Sequence, residues 1–197
     1  MTALARYLPE GLALFLRGWV EDPRSVGAVA PSGRRLADLM TREIPSTGKV
    51  VELGPGTGSF TRAILDRGVA QDQLALVELN AAFASNLQQR FSGVSVICGS
   101  ATDSHEQLGR FEGQTSAVVS GLPLVLFSGE DQSKLLLRSF ELLRADGAFY
   151  QFTYGGRCPV SRKRLASLGL RAARVGLSLF NLPPAFVYRI SRVPVQQ

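Results

Sequence analysis

The 197-residue chain holds one histidine, His105, and two cysteines, Cys98 and Cys158, with no CxxC spacing. A zinc site draws four ligands from Cys, His and carboxylates in close array, so this scarcity speaks against one, and no metal is expected. Charged residues are also sparse, 19% against 45% hydrophobic, which excludes a disordered polar chain and suits a single folded domain. Long apolar runs are missing as well. Spanning a bilayer takes roughly 20 apolar residues; the closest stretch, LPEGLALFLRGWV (8–20), is interrupted by Glu10 and Arg17. A secretory signal does not fit either, since only Arg6 stands ahead of that run as a charged leader and EDPR separates it from AVA at 28–30.

Acidic residues are missing from one region. None follows Asp146, whereas Arg157, Arg162, Lys163, Arg164, Arg171, Arg174, Arg189 and Arg192 supply eight positive charges there. The remainder carries fourteen positive and sixteen negative charges, or −2, within a net +6. Such asymmetry suits a polyanionic partner, either a nucleic-acid backbone or an anionic membrane surface, although a solubilising basic face has the same composition.

From residue 48 onward, short apolar runs alternate with amphipathic segments. VVEL (50–53), LALVEL (74–79), VSVIC (94–98), SAVVSG (116–121) and GAFYQFTY (147–154) read as strands. Between them, TRAILDRG reads as a helix closed by Gly68, and NAAFASNLQQRF (80–91) as one capped by Asn80. A further helix carries Leu135, Leu136, Phe140 and Leu143 at helical spacing. Buried strands alternating with helices predict a parallel sheet covered on both faces. At the end, LRAARVGLSLF and AFVYRISRV flank NLPP with no helix between, which predicts a hairpin and hence an antiparallel last strand. A doubly wound α/β sheet of seven mostly parallel strands with such an ending resembles the class I methyltransferase (Rossmann-like) fold, of which an antiparallel last strand is a feature.

Open α/β sheets bind ligands where strands end and helix N-termini begin. The first such turn, VVELGPGTGSF (50–60), reads ExGxGxG, with Glu52 ahead of Gly54, Gly56 and Gly58. Bare glycines let a backbone pass close beneath a ligand. The spacing differs from the GxGxxG of dinucleotide sites and from the triphosphate loop GxxxxGKS. Glu78 ends the next strand, where a carboxylate can accept two ribose hydroxyls; Asp103, in CGSATD, follows the third strand; SGLPL (120–124) follows the fourth. His105 has no partner acid or nucleophile pattern around it and reads as a surface-loop residue.

The glycine turn resembles the first motif of S-adenosylmethionine-dependent methyltransferases. With VGAVAPSGRRLADLM (26–40), VVELGPGTGSFTRAILDRGV (50–69), ALVELN (75–80), SGLPLVLFS (120–128) and NLPPAFVYRISR (181–192), nearly the whole chain resembles the soluble, membrane-associated bacterial phospholipid N-methyltransferases, which convert phosphatidylethanolamine to phosphatidylcholine. The resemblance implies S-adenosylmethionine as cofactor and S-adenosylhomocysteine as product. It assigns cofactor contacts to Ser32, Glu52, Gly54, Gly56, Thr57, Gly58, Glu78, Leu79, Ala101, Thr102, Asp103 and Ser120. Ser32, after Pro31, is expected to cap the next helix at the cofactor's edge. Ser120 and Gly121 stand where amino-methylating enzymes grip the amine, and Tyr154 and Tyr7 are candidates for a hydroxyl or ring face beside it.

The resemblance also divides the chain into an N-terminal helical segment, 1–45, that meets membrane and covers the site, and a methyltransferase domain, 46–197. In the first, Leu8, Leu12, Phe15, Leu16 and Trp19 share one helical face. The same face packing on the domain is an equal reading. The expectations are a phospholipid substrate and a monomer held peripherally on an anionic surface, at the inner face of the cytoplasmic membrane. A ribosomal RNA adenine N6-dimethyltransferase shares a similar first motif and is the first rival, with nucleic acid as partner. Against it, Ser120 replaces the Asn or Asp, and Leu124 the aromatic, of the motif that grips a flat base. An inactive cofactor-binding module is the second rival.

Overall fold

The computed structural model describes residues 31–103, 106–154, 156–179, 181 and 183–194. Helix α1 (Pro31–Thr41) leads into β1 (Lys49–Leu53), α2 (Ser59–Asp66), β2 (Leu74–Glu78), α3 (Ala81–Arg90), β3 (Ser95–Cys98) and β4 (Thr115–Ser120). Helix α4 (Gly129–Leu142), β5 (Leu143–Thr153), α5 (Arg162–Ser167), β6 (Leu170–Ser178) and β7 (Ala185–Arg192) complete the order. The seven strands form one sheet in the order β3-β2-β1-β4-β5-β7-β6. Strand β1 pairs in parallel with both β2 and β4, while β7 runs antiparallel to both β5 and β6. The expected class I methyltransferase sheet with an antiparallel final strand is therefore present.

Alternation along the strands builds a core on each face. Val50, Leu74, Leu76, Val119 and Val187 lie in one cluster; Val51, Ala75, Val77, Val118 and Ile190 lie in the other. Successive side chains point to opposite faces of a strand, so a strand covered on both sides reads as a continuous apolar run. Leu36, Leu39 and Met40 of α1, with Ile44 just beyond it, join the first cluster. Leu39 lies so near β6 that a methyl group at Gly176 would stand 2.8 Å from its Cδ1. Each fully buried leucine of these clusters contributes on the order of 2 kcal/mol.

Local signals set most boundaries. Asn80 caps α3, its Oδ1 accepting from the amides of Ala82 and Phe83 at 2.9 and 3.2 Å, and Gly68 closes the turn after α2 at φ 93°. Two details depart from the sequence expectation. Leu143 opens β5 instead of ending the helix: it pairs with Thr115, the register then shifts, and Ala148 pairs with Ala117. Helix α5 was not expected, because its six residues bury one apolar side chain, Leu165; Ser161 caps it by accepting from the Arg164 amide at 3.2 Å.

Candidate active site

The C-terminal ends of β1, β2 and β4 meet through backbone hydrogen bonds. The Gly54 amide donates to Val77 O at 2.9 Å, and the Gly121 amide to Leu53 O at 2.8 Å. Gly54, Gly56 and Gly58 all have positive φ, at 66°, 54° and 80°, a region costly for side-chain-bearing residues. Their surroundings differ. A methyl group at Gly54 would lie 2.6 Å from Leu122 Cδ2 of the side chain packed beneath it, and one at Gly121 only 2.4 Å from Gly54 O, where the two turns meet backbone to backbone. A methyl group at Gly56 would meet nothing within 4 Å. The loop is thus packed from below and open at its centre, a cradle with room for a ligand.

Two carboxyl groups flank the cradle. Glu78 accepts from the Gly56 amide through Oε2 at 3.0 Å and from the Asn80 amide through Oε1 at 2.9 Å, tying the loop to the start of α3. Each of its oxygens keeps a second lone pair for a ligand hydroxyl. Glu52 is fully buried; Thr61 of α2 donates to its Oε2 at 2.6 Å, while Oε1 has no partner among the described residues. Burial pushes the Glu52 carboxyl up to about 8, against the Thr61 hydrogen bond and with help from the nearby Glu78 charge. An orphaned buried carboxyl beside an open glycine cradle fits a cofactor bearing cationic groups, such as the ammonium and sulfonium of S-adenosylmethionine.

The wider rim is more exposed. Leu79, next to Glu78, is 75% exposed. Thr102 bonds Ser100 through the two hydroxyls at 2.8 Å. Asp103 is exposed and lies 3.8 Å from Lys134, and Ala101 packs against the second core cluster. The carbonyl of Thr57 accepts from Arg90 at 2.7 Å.

On the β4 side, Ser120 is fully buried and its Oγ accepts from the Leu122 amide at 3.3 Å, closing the SGLPL turn on itself. Gln151, paired with Ser120 in the sheet, donates to Leu122 O at 2.9 Å. Tyr154 follows β5, its ring edge-on to Phe152 with centroids 5.5 Å apart. Burial raises its phenol above the usual value, opposed by a hydrogen bond with Asn181. Asn181 in turn accepts from Ser178 Oγ at 2.6 Å.

The structure therefore ties Gly56 to Glu78, and the turns at Gly54 and Gly121 to the ends of β2 and β1, by hydrogen bonds, with Glu52 and Gly58 on the same strand and turn and with Ser120 and Tyr154 at the ends of β4 and β5. Ser32 lies inside α1, so it is not a cap ahead of that helix. Tyr7, the apolar face around Leu8 to Trp19, and His105 lie outside the described residues. Sequence reasoning missed Thr61, Leu122 and Gln151. Thr61 stands nine residues after Glu52 with no motif to mark it; Leu122 sits inside SGLPL, where nothing distinguishes it from its apolar neighbours; Gln151 has no signal beyond being a polar residue in an apolar strand. Among the described residues no helix is long and apolar enough to cross a membrane.

No family model matches the chain. An ornithine lipid N-methyltransferase from Singulisphaera acidiphila is 32% identical over 181 residues, spanning 89% of this chain and 93% of that protein. Solved structures share the fold at lower identity. A TehB-like S-adenosylmethionine-dependent methyltransferase from Corynebacterium glutamicum aligns over 92% of this chain and all of that one, with TM-score 0.65 and 14% identity. The 1,6-didemethyltoxoflavin-N1-methyltransferase of Burkholderia thailandensis, with S-adenosylhomocysteine bound, aligns over 97% and 92%, with TM-score 0.63 and 16% identity. With its sheet order and glycine cradle, the chain belongs to the family of the Singulisphaera acidiphila N-methyltransferase, among the class I S-adenosylmethionine-dependent methyltransferases.

Proposed function

We propose that the protein transfers a methyl group from S-adenosylmethionine to the primary amine of a membrane lipid, with phosphatidylethanolamine as the acceptor. The observation that carries lipid N-methylation is the near full-length similarity to an ornithine lipid N-methyltransferase; the choice of phosphatidylethanolamine comes from the motif resemblance alone. In this reading the protein works as a monomer, held peripherally at the inner face of the cytoplasmic membrane. The ornithine lipid named for that relative is the second acceptor; both offer an aliphatic amine on a lipid.

Gly54, Gly56, Thr57 and Gly58 would hold the amino-acid part of the cofactor, with the Glu52 carboxyl nearby; Glu78 would take the ribose hydroxyls; Leu79, Ala101, Thr102 and Asp103 would line the base. When bound, S-adenosylmethionine supplies a methyl group already activated on a sulfonium. The protein's share is then alignment and delivery of a neutral amine. Ser120 and the backbone carbonyls of 120 and 121 are the acceptors nearest the β4 turn. Tyr154, whose phenol is held protonated by burial, orients the amine as a neutral hydroxyl and does not take its proton.

A flat nucleobase is disfavoured by Leu124. It occupies the place of a stacking aromatic and is 1% exposed within the core, so it offers no ring face. Incubation with labelled S-adenosylmethionine and vesicles of phosphatidylethanolamine with phosphatidylglycerol, vesicles containing ornithine lipid, or total RNA separates the readings. Label in phosphatidylethanolamine is expected. Label in ornithine lipid alone moves the assignment to the second acceptor, label in RNA alone overturns the lipid reading, and no label anywhere supports a non-catalytic cofactor-binding module.

A further inference from the structure

Five large hydrophobic side chains stand exposed among the described residues: Leu79, Leu137, Leu177, Leu179 and Val193. Their placement is uneven. Leu177 and Leu179, 42% and 68% exposed, lie at the C-terminal end of β6. That end of the sheet is the site's end. Ser120 pairs with Gln151, Thr153 two residues on pairs with Phe186, and Phe186 pairs with Leu177. The polar chain from Tyr154 through Asn181 to Ser178 fastens the hairpin to the strand end that carries a candidate amine contact.

Two cations belong to the same region as this apolar tip. Arg174 pairs across the hairpin with Tyr188, on the same face as the Leu177 and Phe186 pair. Tyr188 donates through its hydroxyl to Gly156 O at 2.9 Å, and a methyl group at Gly156 would stand 3.7 Å from the Phe186 ring, so the backbone at Gly156 lies beside the same face and exposed Arg157 follows it in the chain. Among the described residues neither Arg157 nor Arg174 forms an ion pair with a carboxylate.

We propose that the exposed tip of the β6–β7 hairpin docks on the anionic bilayer surface: Leu177 and Leu179 enter the acyl boundary, and Arg157 and Arg174 bind lipid phosphates around them. Exposed leucines with arginines in the same region are the composition that binds such an interface, since long cationic side chains reach head groups while apolar ones sink below them. Docking there sets the mouth of the site at head-group depth, so a lipid amine reaches it without leaving the membrane. This inference rests on the lipid reading of the function, and its test is separable from that reading.

The test compares the wild type with Leu177→Ser/Leu179→Ser and with Arg157→Ser/Arg174→Ser. Flotation uses vesicles of phosphatidylcholine with or without phosphatidylglycerol, and catalysis uses dihexanoyl phosphatidylethanolamine in monomeric solution. The leucine pair is expected to lower vesicle partition at least tenfold. The arginine pair should lower it about fivefold per residue, and only on anionic vesicles. Both should methylate the monomeric lipid within twofold of the wild type. Undiminished flotation of both pairs, or parallel loss of activity on the monomeric lipid, overturns docking by the tip. A fluorophore on Leu179→Cys, in a Cys98→Ser/Cys158→Ser background, should shift to the blue only when anionic vesicles are added. A dye already blue-shifted without vesicles means that residues 1–30 or a second copy covers the tip, and also overturns it. Failure of every form to methylate any lipid defeats the catalytic reading alone and leaves flotation as the measure of docking.

Discussion

Thr61 donates its hydroxyl proton to Glu52 across 2.6 Å in a place with no solvent access, joining the first turn of α2 to the strand that carries the glycine loop. Because desolvation lifts the Glu52 carboxyl from 4.5 to about 8, the folded protein holds a proton that the unfolded chain has lost at neutral pH. Folded stability is therefore greatest below pH 4.5 as far as this group is concerned, and it declines as pH rises from there to about 8. Glu52→Gln should remove that decline. Urea unfolding of the cofactor-free protein between pH 5 and 8 is expected to show a slope in the wild type of roughly 1.4 kcal/mol for each step of one in pH, a few kcal/mol over the whole range. A variant with the same slope would assign the pH dependence elsewhere.

Cations arriving at the cradle should pull the same carboxyl back toward ionisation. Cofactor binding at pH 7 is then expected to release protons, and affinity to rise with pH up to about 8. Calorimetry in buffers of different ionisation enthalpy reads this directly; buffer-independent heat would mean that Glu52 keeps its proton throughout.

The glycines separate packing from binding. Gly56→Ala adds a methyl group where nothing lies within 4 Å, so its structural cost is that of the left-handed backbone, about 1 kcal/mol. Gly121→Ala drives a methyl group to 2.4 Å from Gly54 O, a clash that moves two strand ends apart. The first variant is expected to keep a melting temperature near the wild type and lose cofactor affinity more than tenfold; the second should lose several degrees. Equal cofactor affinity in Gly56→Ala and wild type would remove the loop from the binding site.

Much of this geometry was legible in the chain because backbone turns are written in residue types. Gly54, Gly56 and Gly58 mark positive φ, Asn80 marks a helix start, and the apolar runs around Val50, Leu76 and Val118 mark doubly covered strands. Partnerships over distance were not legible. Nothing near Thr61 marks it as the partner of Glu52, and Gln151 reaches Leu122 across 29 positions of sequence. Leu143 misled because its helical spacing is real, while pairing with Thr115 in the sheet outweighs one further helical turn.

Glu78 holds two backbone amides, of Gly56 and Asn80, at 3.0 and 2.9 Å. Glu78→Gln replaces one acceptor oxygen by a donor facing an N–H, and Glu78→Ala removes both. Cofactor affinity is expected to fall about tenfold or more in either variant, with Gln no better than Ala. Full affinity in Glu78→Ala would leave the residue with loop bracing alone.

Tyr154 stands two strands from the glycine cradle, edge-on to Phe152, with its hydroxyl bonded to Asn181. Tyr154→Phe keeps the ring and its packing, so the melting temperature and cofactor affinity should stay close to those of the wild type. If the hydroxyl orients the lipid amine, kcat should drop by tenfold to a hundredfold with a smaller change in KM, since the loss falls on alignment of the reacting nitrogen. The pH profile discriminates further. A phenol held above its usual value of 10 stays protonated throughout the working range, so the rise of rate with pH must follow the substrate amine and keep its midpoint in the variant. A variant with unchanged kcat, or with a displaced midpoint, would show that the Tyr154 hydroxyl either has no part in the reaction or takes the proton itself.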